Sequence, residues 1–345
     1  MKVGLATTTV PFVPGGATTI VDSLERALIV RGHDVDTLRL PFESDVTAML
    51  PQMLALRLHH VEDFGDRLIC IRTPSYLLQH PHKVLWFIHH HRGAYDLWGT
   101  EYADLRDDAR GREMRDAIRA ADDVAFDEAN AIYSNSKVVA DRLRDFNGVH
   151  AEVLYPPLDN PEQFYCDGYG DDIVYVSRIQ HHKRQWLAVE AMRYTTTPVR
   201  LVLAGAAGSA YEASQVWGRI REYGLEDKVV VKAEWVAEDE KARLIAGCLA
   251  TVYCPFEEDS YGYASLESQQ SSKAVVTTTD AGGVLELIEH GTNGLVCAPT
   301  PQALAARFDE LYEDRRLAQR LGTAATARIA ELQISWDHVI GRLLS

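Results

Sequence analysis

Short runs of apolar and β-branched residues alternate along the chain with longer stretches in which apolar residues recur every three or four positions. The short runs are typical of buried strands, and the longer stretches are typical of amphipathic helices. In the first long stretch, Ile20, Leu24 and Leu28 fall on one helix face, and Gly32 follows where the helix should end. Because strand and helix alternate from start to end, the pattern predicts βα units on parallel sheets. The expected strands are Val3–Thr8, Val35–Leu40, Leu68–Arg72, Val84–His89, Ala131–Ser134, Ile173–Ser177, Val199–Ala204, Lys228–Lys232, Thr251–Cys254 and Ala274–Thr278.

A proline-rich segment divides this pattern into two halves. The stretch Tyr155–Pro161 contains three prolines and follows a strand-like run, so it is expected to link two domains. We place an amino-terminal Rossmann-like domain at residues 1–165 and a carboxyl-terminal one at 166–345. The last helix, around Ile334–Trp336, is a candidate for crossing back to the first domain. The predicted fold class is α/β, with two parallel sheets facing across a central cleft, because such sheets bind ligands at the carboxyl ends of their strands.

Composition narrows the class of protein. Of the 345 residues, 46% are hydrophobic and 25% are charged, which suits a folded globular protein of about two domains. The formal net charge of −15 argues against nucleic acid as a partner, so an anionic ligand must be held by a few local cations. The five cysteines are scattered, which indicates neither disulfides nor a zinc site. No apolar run reaches the ~18 residues of a membrane span. We therefore expect a cytoplasmic protein, with peripheral membrane contact left open.

An acidic block at residues 257–267 leads into the expected start of a helix. Asp259 and Glu267 stand eight positions apart, so one acid can lie on the loop and the other about one turn inside the helix. The N–H groups of the first helical turn offer a partly positive surface for phosphate. Acids for hydroxyl groups and amides for phosphates together indicate a nucleotide-sugar site. The alternative is that these acids only solubilise a loop and favour a helix start.

Two glycine loops follow expected strands. Gly15 and Gly16 lie between the first strand and the first helix, and Gly282 and Gly283 precede a later helix start. Glycine lets a backbone approach a ligand closely, although a tight turn without a ligand also explains these loops. The first loop does not match the dinucleotide fingerprint, and no Gly-Lys-Ser/Thr phosphate loop is present, which argues against a Rossmann oxidoreductase.

Basic residues stand at the ends of two other strands. Arg178 ends one strand and Lys183 follows five residues later, where two cations can grip a diphosphate; the alternative is a solvated basic turn. Three histidines and an arginine, residues 89–92, end another strand. Adjacent histidines on an extended segment point to alternate faces and make a poor metal cage. We therefore take His89 as a hydrogen-bonding group that faces the cleft, with zinc as the lesser alternative.

Taken together, these motifs resemble the retaining glycosyltransferases of family 4, the group 1 glycosyl transferases, which have the two-domain GT-B fold. The resemblance extends over nearly the whole chain. Its motifs are Gly15-Gly16, the strand-end His89, Ser134-Asn135-Ser136, the interdomain stretch Tyr155–Asp159, Arg178 with Lys183, Gly282-Gly283 with Glu286, and Gly291 with Asn293-Gly294. The family's pattern of two glutamates separated by seven residues corresponds here to Asp259 and Glu267.

The resemblance implies transfer of a hexose-like sugar from a UDP- or GDP-linked donor to an acceptor hydroxyl, with retention at the anomeric carbon. Because Arg178, Lys183 and backbone amides can stabilise the leaving diphosphate, we expect neither a metal nor another cofactor. The resemblance also implies that the amino-terminal half binds the acceptor, which is a glycan, a lipid-linked molecule or a small molecule. The implied catalytic residues are His89, Arg178, Lys183 and Asp259. The implied donor-binding residues are Gly15, Gly16, Arg178, Lys183, Glu258, Asp259, Ser260, Tyr261, Gly262, Tyr263, Glu267, Gly282 and Gly283. The implied acceptor-side residues are His89, His91 and Arg92.

One position departs from the family pattern. Asp259 stands where the family has the first glutamate of its pattern, the one that binds the transferred sugar. Aspartate keeps the charge, but its side chain is one methylene shorter. Glu258 is the alternative for this role. Two other functions are alternatives to sugar transfer. One is a nucleotide-sugar epimerase of the same architecture, and the other is a non-catalytic relative that binds a nucleotide.

Overall fold

The computed structural model describes residues 1–10, 16–43, 45–100 and 103–345, which form two units. The first unit contains Met1–Asp159 and Ile334–Ser345, and the second contains Asn160–Gln333. The division thus falls after Asp159 and not at residue 165, where the sequence places it. The physical reason is that Phe164 is buried within the second unit, where the Lys241 ammonium lies 5.7 Å from the centre of its ring.

The first unit is built on a parallel sheet of six strands in the order β2-β1-β3-β4-β5-β6. Its strands are β1 (Lys2–Thr9), β2 (Asp34–Pro41), β3 (Arg67–Cys70), β4 (Lys83–Phe87), β5 (Ala131–Ser134) and β6 (Glu152–Val153). Between them lie the helices α1 (Gly16–Val30), α2 (Met49–Arg57), α3 (Ala109–Asp127) and α4 (Lys137–Asn147). The strand order reverses between β1 and β3, so their carboxyl ends flank the topological switch point of this sheet.

The apolar pattern of the sequence explains these elements. Leu5 and Ala6 in β1 are both fully buried, as expected for a central parallel strand with both faces covered. Ile20, Leu24 and Leu28 are buried along one face of α1, which confirms the helical spacing read from the sequence. Gly15 lies outside the described residues, and Gly16 begins α1.

The second unit contains a second parallel sheet of six strands, in the order β12-β11-β10-β7-β8-β9. Its strands are β7 (Asp172–Val176), β8 (Arg200–Ala204), β9 (Val229–Lys232), β10 (Ala250–Val252), β11 (Val275–Thr278) and β12 (Gly294–Cys297). Its helices are α5 (Gln185–Ala191), α6 (Ala210–Glu222), α7 (Glu238–Gly247), α8 (Tyr263–Gln270), α9 (Val284–Leu287), α10 (Pro301–Glu313) and α11 (Arg315–Glu331). Here the order reverses between β7 and β10, which marks the second switch point.

The strand predictions are confirmed, and two edge strands are added. All ten expected strands are present, with ends that differ by a few residues. The sequence did not predict β6 or β12, which lie at the edges of their sheets. The other two edge strands, β2 and β9, were predicted.

The last helix, α12 (Trp336–Leu343), folds with the first unit. Its Val339 and Leu343 are fully buried, and the Trp336 indole donates a hydrogen bond to the Leu158 carbonyl at 2.9 Å. The sequence left open that this helix crosses back, and residues 334–345 do belong to the first unit. No helix in the described part of the chain is both long enough and apolar enough to span a membrane.

Candidate active site

A lysine lies at the switch point of the second sheet. Lys183 ends the short helical turn that follows β7, and Tyr253 follows β10 directly. The Lys183 ammonium donates to the Tyr253 hydroxyl at 2.8 Å and forms an ion pair with Oε2 of Glu258. Tyr253 in turn donates to the same Glu258 oxygen at 3.2 Å. The structure therefore brings together one predicted cation, one predicted acid and a tyrosine that sequence reasoning missed.

Lys183 keeps its positive charge although it is buried. Burial alone disfavours an ammonium, but Tyr253 and Glu258 outweigh that effect and raise the pKa of Lys183 above its ordinary value. Burial also raises the pKa of the Tyr253 hydroxyl, so that group stays neutral. An ammonium has three donors, and Tyr253 and Glu258 account for two of them. Lys183 can therefore bind a further anion without releasing either partner.

Arg184, the next residue, holds the loops around this lysine. Its backbone is left-handed, with φ of 54°, and its side chain is nearly buried. The guanidinium donates to the carbonyls of Cys254 and Pro255, to the Thr278 hydroxyl and to both carboxylate oxygens of Asp280, at 2.7 to 2.9 Å. These bonds tie the chain after β10 to the chain after β11. Nothing in the sequence pattern distinguishes Arg184 from its basic neighbours.

The Gly282-Gly283 loop packs directly on the loop that contains Glu258, Asp259 and Ser260, here called the acidic loop. Glu258 and Gly282 form a parallel bridge, and the Gly283 N–H donates to the Glu258 carbonyl at 2.8 Å. A Cβ at Gly282 would lie 2.5 Å from the Glu258 carbonyl oxygen, and one at Gly283 would lie 2.7 Å from the Cα of Ser260. Close backbone packing therefore explains these two glycines. The same contacts fix the position of the acidic loop relative to the Gly282-Gly283 loop.

Helix α8 begins at the end of that loop. Gly262, at its start, has φ of 68° and no side chain with which to cap the helix. A Cβ there would lie 2.5 Å from the Tyr253 ring, so this glycine also allows a close approach. Asp259 and Ser260 are partly exposed in the loop before it, whereas Tyr261 is buried. The start of α8, with Tyr263 as its first residue, thus lies beside the predicted acids.

Glu267 lies about one turn inside α8, as the sequence predicts, but in a buried environment. Only 5% of the residue is exposed, and its Oε1 accepts from the Lys241 ammonium at 2.6 Å. Burial raises the pKa of the Glu267 carboxyl, although the charge of Lys241 opposes that rise. Lys241 also binds Glu238 at 2.8 Å within α7. Lys241 was not predicted, because its partner lies 26 residues away in the sequence.

Arg178 occupies a more open position in the same unit. It lies in the connection between β7 and the turn that carries Lys183, and its side chain is exposed. The side-chain amide of Gln185 donates to its carbonyl at 2.8 Å, which fixes the backbone at this point. The guanidinium therefore projects from an anchored backbone at the carboxyl edge of the second sheet.

The predicted acceptor-side residues lie in the first unit, after β4. The His89 Nδ1 bonds to the His90 carbonyl at 2.7 Å. A carbonyl oxygen only accepts, so Nδ1 donates this bond. His91 contacts the Asp104 carboxylate at 3.2 Å, and Arg92 donates twice to Asp96, at 2.7 and 2.9 Å. No group of three or more His, Cys, Asp or Glu side chains in the described ranges is arranged to hold a metal ion.

A buried carboxyl group lies behind this segment, and the sequence did not predict it. Asp122 on α3 is fully buried and accepts hydrogen bonds from the hydroxyls of Tyr76 and Tyr95, each at 2.9 Å. Burial raises the pKa of Asp122 from 3.8 to about 7, against the effect of these two bonds. The His90 ring packs on Tyr95 with 4.1 Å between ring centres. Asp122 thus supports the segment that carries His89.

Comparison with known proteins identifies the second unit. Residues 167–328 match the family model of Glycosyl transferases group 1. The chain therefore contains a group 1 glycosyltransferase domain, which includes Arg178, Lys183 and the whole acidic loop.

Two curated relatives extend the similarity beyond this domain. Human alpha-1,3/1,6-mannosyltransferase ALG2 is 24% identical over 286 residues, which make up 72% of this chain and 64% of that protein. D-inositol 3-phosphate glycosyltransferase of Xylanimonas cellulosilytica is 29% identical over 197 residues, which make up 56% of this chain and 43% of that protein. The chain thus spans less than two thirds of the length of these relatives.

A solved structure matches the fold of the whole chain. Anabaena Alr3699/HepE in complex with UDP and glucose has a TM-score of 0.73 and 19% sequence identity, and the match covers 100% of this chain and 98% of that one. The chain has the GT-B fold of two Rossmann-like domains, and the fold class expected from the sequence is confirmed.

Proposed function

We propose that this glycosyltransferase moves a hexose-like sugar from a UDP- or GDP-linked donor to an acceptor hydroxyl, with retention at the anomeric carbon. The observation that carries the proposal is the charged Lys183, held at the switch point of the second sheet between Tyr253 and Glu258. Sheets of this kind bind nucleotides at that point. The group 1 glycosyltransferase match over residues 167–328 supports the same placement.

Lys183 has the right chemistry for a leaving diphosphate. Negative charge develops on the diphosphate as the glycosidic bond breaks, and a cation already in place stabilises it without rearrangement. Its third N–H can donate to a phosphate oxygen while Tyr253 and Glu258 keep the side chain in position. The amides at the start of α8, near Tyr263, and the exposed Arg178 add donors at the same edge. In this proposal no metal is required.

We assign one acid to the transferred sugar of the donor and another to its ribose. Glu258 forms an ion pair with Lys183. We assign the sugar hydroxyls to Asp259, which is partly exposed in the same loop. Glu267 has two carboxylate oxygens; Oε1 binds Lys241, and Oε2 is proposed to accept from the ribose hydroxyls. The shorter Asp259 then reaches the sugar from a loop whose position is set by its packing on Gly282 and Gly283.

His89 is the proposed acceptor-side group. With Nδ1 donating to the His90 carbonyl, Nε2 of a neutral imidazole has the chemistry to accept a hydrogen bond from a hydroxyl and so to orient it. His91 and Arg92 each contact a carboxylate, so we assign them a supporting role. The similar proteins support a hexose donor: one is a mannosyltransferase, and the Anabaena structure is in complex with UDP and glucose.

Donor binding by Lys183 variants tests this proposal. Lys183→Ala should weaken binding of UDP or GDP, measured by calorimetry, by roughly 10- to 100-fold, because a bond to a charged group contributes about 1.5–3 kcal/mol. Lys137→Ala is the matched control, since that lysine is 67% exposed and lies in the first unit, on α4, where it pairs with Asp141. Unchanged affinity in Lys183→Ala would show that the phosphate site is elsewhere.

The reaction itself needs two further measurements. The anomeric configuration of the product, read by NMR, should match that of the donor, and inversion would refute the retaining mechanism. Excess chelator should leave turnover intact; loss of activity that a divalent ion restores would refute the metal-free mechanism. Isomerisation of the donor sugar without any acceptor would instead identify an epimerase.

A further inference from the structure

Arg72 lies at the switch point of the first sheet. It follows β3 after Ile71, and the parallel register pairs Ala6 with Cys70, so Arg72 is level with Thr8 near the end of β1. Its Nη1 donates to the Thr8 carbonyl at 3.2 Å. The guanidinium thus lies between the carboxyl ends of the two strands at which the strand order reverses. Open α/β sheets bind ligands at this position.

The adjacent strand brings His89 to the same edge. The register pairs Cys70 of β3 with Leu85 of β4, which puts Arg72 level with Phe87. His89 follows two residues later, and neighbouring strands lie about 4.8 Å apart. A ligand bound to Arg72 therefore lies beside the strand end that carries His89.

The charge of Arg72 is not balanced by a carboxylate in the described part of the chain. Its one hydrogen-bond partner there is the Thr8 carbonyl, although the side chain is partly buried. Arg57, Arg92 and Arg184, which are also partly or largely buried, each bind a carboxylate at 2.7 Å. Burial lowers the pKa of Arg72, as expected for a cation without an anionic partner. An unpaired charge in a partly buried position carries a desolvation cost, which a bound anion would offset.

The backbone around Arg72 is held firmly. Its carbonyl accepts from the N–H of Ser75 at 2.8 Å and from the Ser75 hydroxyl at 2.6 Å. The next carbonyl, that of Thr73, accepts from the Thr8 hydroxyl at 2.7 Å. The guanidinium therefore projects from a fixed point, which reduces the entropy lost when it binds a ligand.

We propose that Arg72 binds an anionic group, a phosphate or a carboxylate, on the acceptor. The proposal rests on the proposed function and names the substrate class of its acceptor side. A guanidinium binds either oxyanion through two parallel hydrogen bonds. In a chain with a net charge of −15, an acidic acceptor needs such a cation to approach. The acceptor is then a hydroxy compound with one acidic group, which is held by Arg72 while its hydroxyl lies near His89.

Matched acceptors test the proposal with the full chain. Glucose, glucose 6-phosphate and glucuronate offer the same ring with a neutral, a phosphate and a carboxylate group, and release of nucleoside diphosphate reports transfer. We expect at least one acidic acceptor to be preferred over glucose. Arg72→Ala should raise KM for that acceptor roughly 10- to 100-fold, with little change in kcat and no change for glucose. Comparison of glucose 6-phosphate with glucuronate shows whether the site prefers a phosphate or a carboxylate.

Two variants and a control separate binding from folding. Arg72→Lys keeps the charge but loses the two parallel N–H donors of the guanidinium. Its KM should therefore lie between those of the wild type and Arg72→Ala. Arg110→Ala changes an exposed arginine of α3 and should behave as wild type. Equal loss with all three acceptors in Arg72→Ala would indicate a structural role and overturn the proposal. An acidic preference that survives in Arg72→Ala would also overturn it.

A binding measurement keeps this test independent of turnover. Inorganic phosphate and acetate are titrated against the full chain at constant ionic strength, with chloride as the reference and with and without nucleoside diphosphate. One of the two should bind wild type and Arg110→Ala, and bind Arg72→Ala roughly tenfold or more weakly; equal binding to all three refutes the proposal. A chain that fails to bind nucleoside diphosphate refutes the proposed function, while the anion titration still decides the role of Arg72.

Discussion

Replacement of Arg184 by alanine should destabilise the second unit more than any exposed charge substitution in that unit. The change removes five hydrogen bonds made by one guanidinium, two of them to Asp280. It leaves the carboxylate of Asp280 and the carbonyls of Cys254 and Pro255 without these donors. Alanine keeps the left-handed backbone at this position, so the backbone strain of the native chain is unchanged.

The magnitude follows from burial. The Arg184 and Asp280 side chains are only 10% and 26% exposed, so their pairing is largely shielded from water. Removal of one partner from a buried ion pair costs about 3–5 kcal/mol. For a domain of this size, each kcal/mol lowers the melting temperature by about 2–4 °C, which gives an expected fall of about 6–20 °C. Arg243→Ala is the matched control, because Arg243 and Asp239 are 62% and 70% exposed and such pairs contribute about 0–1 kcal/mol.

Calorimetric unfolding of the full chain measures this fall, and hydrogen exchange locates it. The amides of residues 250–260 and 275–283 should exchange faster in Arg184→Ala, while those of the first unit should not change. Donor affinity should fall as well, because Arg184 anchors the loops beside Lys183. A melting temperature within about 2 °C of the control variant would refute the reasoning, since it would mean that the five bonds contribute no net stability.

Two further predictions concern backbone packing and pH. Gly282→Ala and Gly291→Ala both place a side chain at positive φ, but only the first meets an obstacle, at 2.5 Å from the Glu258 carbonyl. Gly282→Ala should therefore cost more stability and weaken donor binding, and equal melting temperatures for the two variants would contradict the packing argument. Asp122 has a pKa of about 7 in the folded chain against an ordinary 3.8, so the folded state binds more protons between these values. The free energy of unfolding should then fall as pH rises from about 4 to about 7, by up to ~1.4 kcal/mol per unit, relative to Asp122→Asn. Parallel stability curves for the two proteins would show that Asp122 does not titrate in this range.

The sequence predicted the fold well because the relevant signal is local. Apolar runs and helical spacing depend on neighbours a few positions away, and they located ten of the twelve strands. The missed strands, β6 and β12, have two and four residues, so each gives only a short apolar run. The predicted domain boundary at residue 165 differs from the division after Asp159, because the tertiary position of Phe164 is not encoded in the proline count.

The candidate site was predicted less completely, since its contacts join distant residues. Lys183 was identified, but its partner Glu258 is 75 residues away, and the sequence ranked Asp259 first for the acidic role. Lys241 and Arg184 were missed because a basic residue in a charged segment gives no sign of being buried against an acid far along the chain. The glycines at 282 and 283 were expected near phosphate, whereas their described role is to admit the backbone of the acidic loop.

The position of α12 affects the order in which the chain can fold during synthesis. The first unit lacks its last helix until residues 334–345 have been made, by which time the whole second unit is already present. The buried faces of Val339 and Leu343 imply a matching apolar surface on the first unit that stays uncovered until then. Synthesis therefore completes the residues of the second unit before those of the first.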